Sequence, residues 1–196
     1  MAARAKNRHP VAVALALLVA ACSSKAPAPE WQLNAFDALH SFQSRYLGGD
    51  SKGADTEFAF ARNELTATGR ADLVARAELV RCAAAVASLV FEPCTGFEKL
   101  RADASAEERA YADYLEGRGA HAPGDEPLAR LVAYAVQLRS ANISPQGIAA
   151  AVDISSTQGW RRPLLAWLGV QLKRAQDAGD SETAARVKRR MELVSG

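Results

Sequence analysis

ADLVARAELVRCAAAVASLVFEP, residues 71–93, is the stretch on which the arrangement of the whole chain turns. It reads as one helix over roughly 71–90, and from Cys82 to Phe91 it is apolar on every side. A helix without a polar face has no side to turn to water, so this one belongs at the centre of the fold. Glu92-Pro93 ends it, because the residue before a proline avoids the α region.

Helical spacing continues on both sides of this segment. Upstream, Trp31, Phe36, Leu39, Phe42 and Tyr46 follow an i, i+3, i+4 rhythm that stops at Gly48-Gly49. A helix over roughly 54–68 then carries Phe58, Ala61 and Leu65 ahead of Gly69. Downstream, a short turn around Phe97 and Leu100 leads to Ser105-Ala106-Glu107-Glu108, a capping box, and to a helix bearing Tyr111, Tyr114 and Leu115. Residues 117–124 form a Gly- and Pro-rich loop that separates two helical halves, 31–116 and 127–196. In the second half, Pro127 opens a helix with Leu128, Leu131, Val132, Ala135 and Leu138, favoured at its positive end by Asp125 and Glu126. Ser144-Pro145 opens a helix with Ile148 and Val152, and Pro163 opens one with Leu165, Leu168 and Leu172. Asp180 or Ser181 caps the last, whose apolar face is Ala184, Val187, Met191 and Val194.

No run of strand length alternates with period 2, so the expected fold is all-α, with antiparallel helix hairpins stacked as a small bundle or an array. Leu165-x-x-Leu168-Gly169-x-x-Leu172, followed by Gly179-Asp180 and Ala184, resembles the small-residue and turn pattern of a tetratricopeptide hairpin, with a first helix about one turn too long. The echo of Gly69, Asp72, Ala75 and Arg76 in Gly179, Glu182, Ala185 and Arg186 establishes no period.

The 196 residues include 42 alanines and are 49% hydrophobic, enough for one domain with a real core. Lys and Arg number 24 against 22 Asp and Glu, too even a balance for a protein that coats nucleic acid. With three histidines and 7% aromatics, a metal-rich or base-stacking site has little material, and neither a metal nor a cofactor is expected.

The N-terminus carries an address. Arg4, Lys6 and Arg8 precede an uncharged apolar run from Val11 to Ala21, shorter than the roughly 20 residues that span a bilayer, in the manner of a secretory signal peptide over 1–21. Leu18-Val19-Ala20-Ala21-Cys22 resembles the lipobox of bacterial lipoproteins. That resemblance implies that Cys22 is acylated and becomes the first mature residue, anchoring the protein to a membrane through lipid. Ser23, where an aspartate commonly marks inner-membrane retention, implies an outer-membrane, periplasm-facing location. Residues 22–30 are small, polar and Pro-rich, an extended tether to a domain over 31–196. Loss of the signal removes three basic residues, leaving 21 basic against 22 acidic side chains.

With Cys22 used by lipid, Cys82 and Cys94 remain as a pair that an oxidising periplasm would bridge. A helix running to Phe91 climbs about 13 Å past Cys82, and three further residues return at most about 10 Å, whereas a bridge needs Cα atoms within about 7 Å. The pair is therefore either a disulfide that requires the helix to end near Leu89, or two buried free thiols.

Catalytic signatures are missing: there is no phosphate-binding Gly-Lys-Ser/Thr loop, His-Glu-x-x-His, Gly-x-Ser-x-Gly or Cys-x-x-Cys. His40 lies on an amphipathic helix and His121 in the long loop, each more simply solvated than catalytic. Residues 91–127 hold nine acidic against four basic side chains, read first as helix-start electrostatics and a wet face. Gly159-Trp160-Arg161-Arg162-Pro163 places an aromatic and two guanidinium groups in a turn, a candidate contact for an anionic partner. Arg186, Lys188, Arg189 and Arg190 read as the solubilising face of the last helix. The expected function is a lipid-anchored, non-enzymatic interaction or assembly module of the envelope, with an envelope protein as partner; a pilotin-like escort is one form of it. The alternatives are a peptidoglycan-acting enzyme, which requires two carboxylates converging in a cleft with room for a glycan, and a small-ligand or lipid carrier, which requires a large closed apolar pocket.

Overall fold

The computed structural model describes residues 27–121 and 124–196. The signal peptide, the Cys22 lipid site and the start of the tether fall outside the described residues, as do two positions of the long loop. Among the described residues the chain forms helices and no strand: α1 (Glu30–Gly48), α2 (Ser51–Thr66), α3 (Ala71–Ala87), the single turn α4 (Thr95–Glu98), α5 (Ala106–Leu115), α6 (Pro127–Arg139), α7 (Pro145–Thr157), α8 (Arg161–Asp177) and α9 (Ser181–Ser195). None of them is long and apolar enough to cross a membrane.

The protein is an all-α bundle arranged around α3. On one side α3 buries Val74, Ala77 and Ala84 against the α1–α2 hairpin, which contributes Ala35, Phe42, Leu47, Ala54, Phe58 and Leu65. On the other, Ala75, Leu79, Ala83, Val86 and Ala87 meet Leu131, Val132 and Ala135 of α6, Ile148 and Val152 of α7, and Trp167 and Leu168 of α8. Ala75, Ala77, Ala84 and Ala87 are all fully buried, and their small side chains let neighbouring helices approach on every side. One core therefore joins the two halves that the long loop divides in the sequence. Tryptophan 167 fills its centre, and the Nε1–H of Trp167 donates to the Ala87 carbonyl at 3.2 Å, satisfying both buried polar groups.

The end of α3 departs from the expected run to 90. The helix stops at Ala87, with Leu89 in the left-handed region at φ 60°. The Val90 amide bonds to the Ala85 carbonyl and the Leu89 amide to that of Val86, the paired closure that glycine ordinarily makes at a helix end. This early stop brings the chain back so that Cys82 and Cys94 are bonded, with Cα atoms 5.9 Å apart. Beside the bridge, Glu78 is buried and pairs with Arg81 at 2.7 Å and Arg62 at 3.2 Å.

Two apolar faces are rotated from the sequence reading. Phe36 is 68% exposed, because the inward face of its helix is the one carrying Ala35, Ala38, Phe42 and Leu47. In α8 the buried set is Pro163, Leu164, Trp167, Leu168 and Ala175, while Leu165 and Leu172 are half-buried.

Candidate functional site

An open cleft of about 910 Å³ lies where α1, α3, α5, the start of α6 and the α7–α8 turn meet. Its floor comes from the buried Leu79 and Ala83 and the half-buried Val80 of α3, and from half-buried Leu128 in the first turn of α6. Tyr111 and Trp160 provide aromatic walls, and His40, Gln43, Gln158, Glu107 and Glu126 stand around the rim. A volume near the upper end of the roughly 300–1,000 Å³ range of ligand pockets, with an apolar floor and convergent polar groups, has the composition of a binding site.

Each wall is held by local chemistry written in the sequence. Ser105 Oγ accepts from the Glu108 amide at 3.1 Å and Glu108 Oε2 accepts from the Ser105 amide at 2.9 Å, so the capping box forms and fixes where α5 begins. Glu108 also receives Arg76 Nε at 2.8 Å. Burial alone would raise the Glu108 pKa, but the Ser105 amide and the Arg76 guanidinium outweigh it and hold the carboxyl below its ordinary value. A carboxyl in that state is a structural anion and not a proton donor. Glu107 lies in the first turn of α5 and Glu126 caps α6 without using its carboxylate, and among the described residues neither has a basic partner. His121 packs its ring at 5.0 Å from Tyr111 and 5.3 Å from Tyr114, closing one end. Burial, reinforced by the neighbouring Tyr114, pushes the Tyr111 phenol up to about 12, so at neutral pH it is a protonated hydrogen-bonding group.

The Trp160–Arg162 turn lies between the cleft and two neighbouring helices. Trp160 is half-buried and lines the cleft. Arg162 instead turns inward: Nε donates to the Tyr46 carbonyl and Nη2 to Ser51 Oγ, both at 2.6 Å, and its guanidinium lies 4.3 Å from the Tyr46 ring centroid. Arg161 Nη2 donates to the Ser195 carbonyl at 2.9 Å. Both arginines thus join α8 to other helices, Arg162 to the end of the α1–α2 hairpin and Arg161 to the end of α9.

The chain matches no family model, and no curated protein or solved structure is similar to it. Among the described residues, no group of three His, Cys, Asp or Glu side chains is placed to hold a metal ion. A second, smaller groove of about 530 Å³ lies among α7, α8 and α9, where Arg174, Arg186 and Arg190 line it with Ile148 and Val187. Leu79, Val80, Leu128, Gln43 and Gln158 carry no sequence signal as a set, since three helices and a turn supply them. His40 and His121 are unremarkable alone and share the cleft only in three dimensions.

Proposed function

We propose that this protein is a non-enzymatic binding module of the bacterial envelope, anchored at the outer membrane through acylated Cys22 and recognising a partner protein in the central cleft. The observation that carries the reading is the open shape of that cleft over an apolar floor, Leu79, Val80, Ala83 and Leu128, with a polar rim. A closed carrier cavity would enclose its ligand, and this one is open to solvent.

Two experiments test it. Replacing Cys22 by Ala should move the protein from the membrane to the soluble fraction; retention in the membrane would reject the anchor. Photoreactive residues at Gln43 and Gln158, which line the cleft from α1 and from the α7–α8 turn, should crosslink one and the same protein, while a probe at the exposed Ala59 of α2 should not. Equal capture from Ala59 would reject the cleft as the recognition surface.

One observation favours a second reading, an enzyme acting on peptidoglycan: Glu107 and Glu126 line the same cleft. That reading requires release of soluble fragments from purified sacculi, lost on Glu107→Gln or Glu126→Gln.

A further inference from the structure

We infer that the segment received by the cleft is basic and amphipathic, and that it lies along α1. This rests on the cleft being the binding surface, and adds the chemistry and direction of what binds. The charge comes first. The cleft's one arginine, Arg76, is paired with Glu108 at 2.8 Å, so its charge is balanced within the cleft. Glu107 and Glu126 have no basic partner among the described residues, which leaves two uncompensated carboxylates on a rim above apolar ground. An acidic ligand would be repelled there, and a lysine- or arginine-bearing one attracted.

The second observation is the continuation of the cleft wall. Leu33 and Phe36 are 52% and 68% exposed, unusual for large apolar side chains. They precede the cleft residues His40 and Gln43 at spacings of three, four and three, so all four share one face of α1. From Leu33 to Ser44 that stripe runs about 16 Å at 1.5 Å per residue, the length of three turns of a docked helix. A small cation would leave the Leu33–Phe36 ridge and the floor uncovered, and a purely apolar segment would leave the two carboxylates unmatched. A segment with apolar residues on one face and basic residues flanking it satisfies both.

The test uses the full chain with Cys22→Ala and three synthetic probes: a Leu/Lys peptide of about four turns with one apolar face, its Leu/Glu counterpart, and oligolysine of the same length. Binding is followed by tryptophan emission, with Trp160→Phe identifying the cleft signal. The Leu/Lys peptide should bind and shift Trp160 emission. Its affinity should fall at least tenfold in the Glu107→Gln/Glu126→Gln variant and several-fold in Phe36→Ser, and remain unchanged in the Asp55→Asn/Glu192→Gln control. Equal binding of the Leu/Glu peptide, or an unaffected Glu107→Gln/Glu126→Gln variant, overturns the charge assignment. Oligolysine binding as tightly as the amphipathic peptide overturns the ridge and floor. Phe36-dependent binding to phosphatidylglycerol vesicles without binding of the Leu/Lys peptide makes a bilayer the occupant and overturns the proposal. If Gln43 and Gln158 crosslink a partner while the Leu/Lys peptide is ignored, the cleft remains the recognition surface and only this inference falls.

Discussion

Replacing Arg162 by Ala separates a recognition arginine from one that holds the fold together. In the structure its guanidinium donates to the Tyr46 carbonyl and to Ser51 Oγ at 2.6 Å each and lies 4.3 Å from the Tyr46 ring centroid. A hydrogen bond from a charged donor contributes about 1.5–3 kcal/mol, and a partly exposed cation–π contact about 0.5–1 kcal/mol. Ser51 is exposed and competes with water, so the lower ends apply, and truncation should cost about 2–3 kcal/mol. For a chain of this size that corresponds to a fall of about 5–10 °C in Tm. Urea denaturation followed by circular dichroism is the assay, with an unchanged slope and a lowered midpoint as the expected result. Arg162→Lys keeps a cation near the ring but loses the fork of donors, and should lose about half as much. Stability within about 0.5 kcal/mol of the parent in Arg162→Ala, together with loss of cleft crosslinking, would show that Arg162 serves a partner and that its internal contacts are incidental.

Three further outcomes follow from particular contacts. The Cys82→Ser/Cys94→Ser variant loses a bridge across a sequence separation of 12 and should unfold about 2–3 kcal/mol more easily in urea, a difference that reductant abolishes; equal stability under oxidising conditions would mean that the bridge does not form in solution. Gly96→Ala would place a methyl 2.2 Å from Glu78 Oε2, so Glu78 must leave Arg62 and Arg81 or the α3–α4 turn must move, at about 2–4 kcal/mol by the same assay; a neutral substitution would show that the turn is pliant. Because the folded-state pKa of Glu108 lies below its ordinary 4.5, its contribution is complete above that value and lost as pH falls through the folded one. Tm should therefore drop on acidification below about 4.5, less steeply in Glu108→Gln, which retains the capping geometry without the titrating charge; parallel pH profiles would exclude Glu108 as a source of the acid sensitivity.

Different parts of this molecule were legible to different degrees. The capping box at Ser105–Glu108 was readable because its two hydrogen bonds join residues three apart and need nothing else. The end of α3 was not, because Leu89 adopts a backbone conformation that sequence rules reserve for glycine or asparagine, held by its amide contacts and the packing around it. The internal contacts of Arg162 were illegible for a related reason: its partner at the end of α1 lies more than a hundred residues earlier in the chain. Phe36 was assigned to the wrong face because a rhythm of apolar residues does not show which of them meets a neighbouring helix.

The amino-acid sequence by itself determined the class of fold and the role of α3. Helical periodicity and caps are local, and a segment apolar on all sides can only be covered by its neighbours. It also supplied the expectation of a lipid-anchored envelope protein, through residues 1–22, which lie outside the described structure. Tertiary structure alone decided that Cys82 meets Cys94, that Arg161 reaches the end of α9 and Arg162 the end of α1, and that His40, Leu79, Tyr111, Glu126 and Trp160 surround one cleft. Those outcomes depend on how five elements cross, which the packing of small alanine faces on α3 sets and no local sequence pattern encodes.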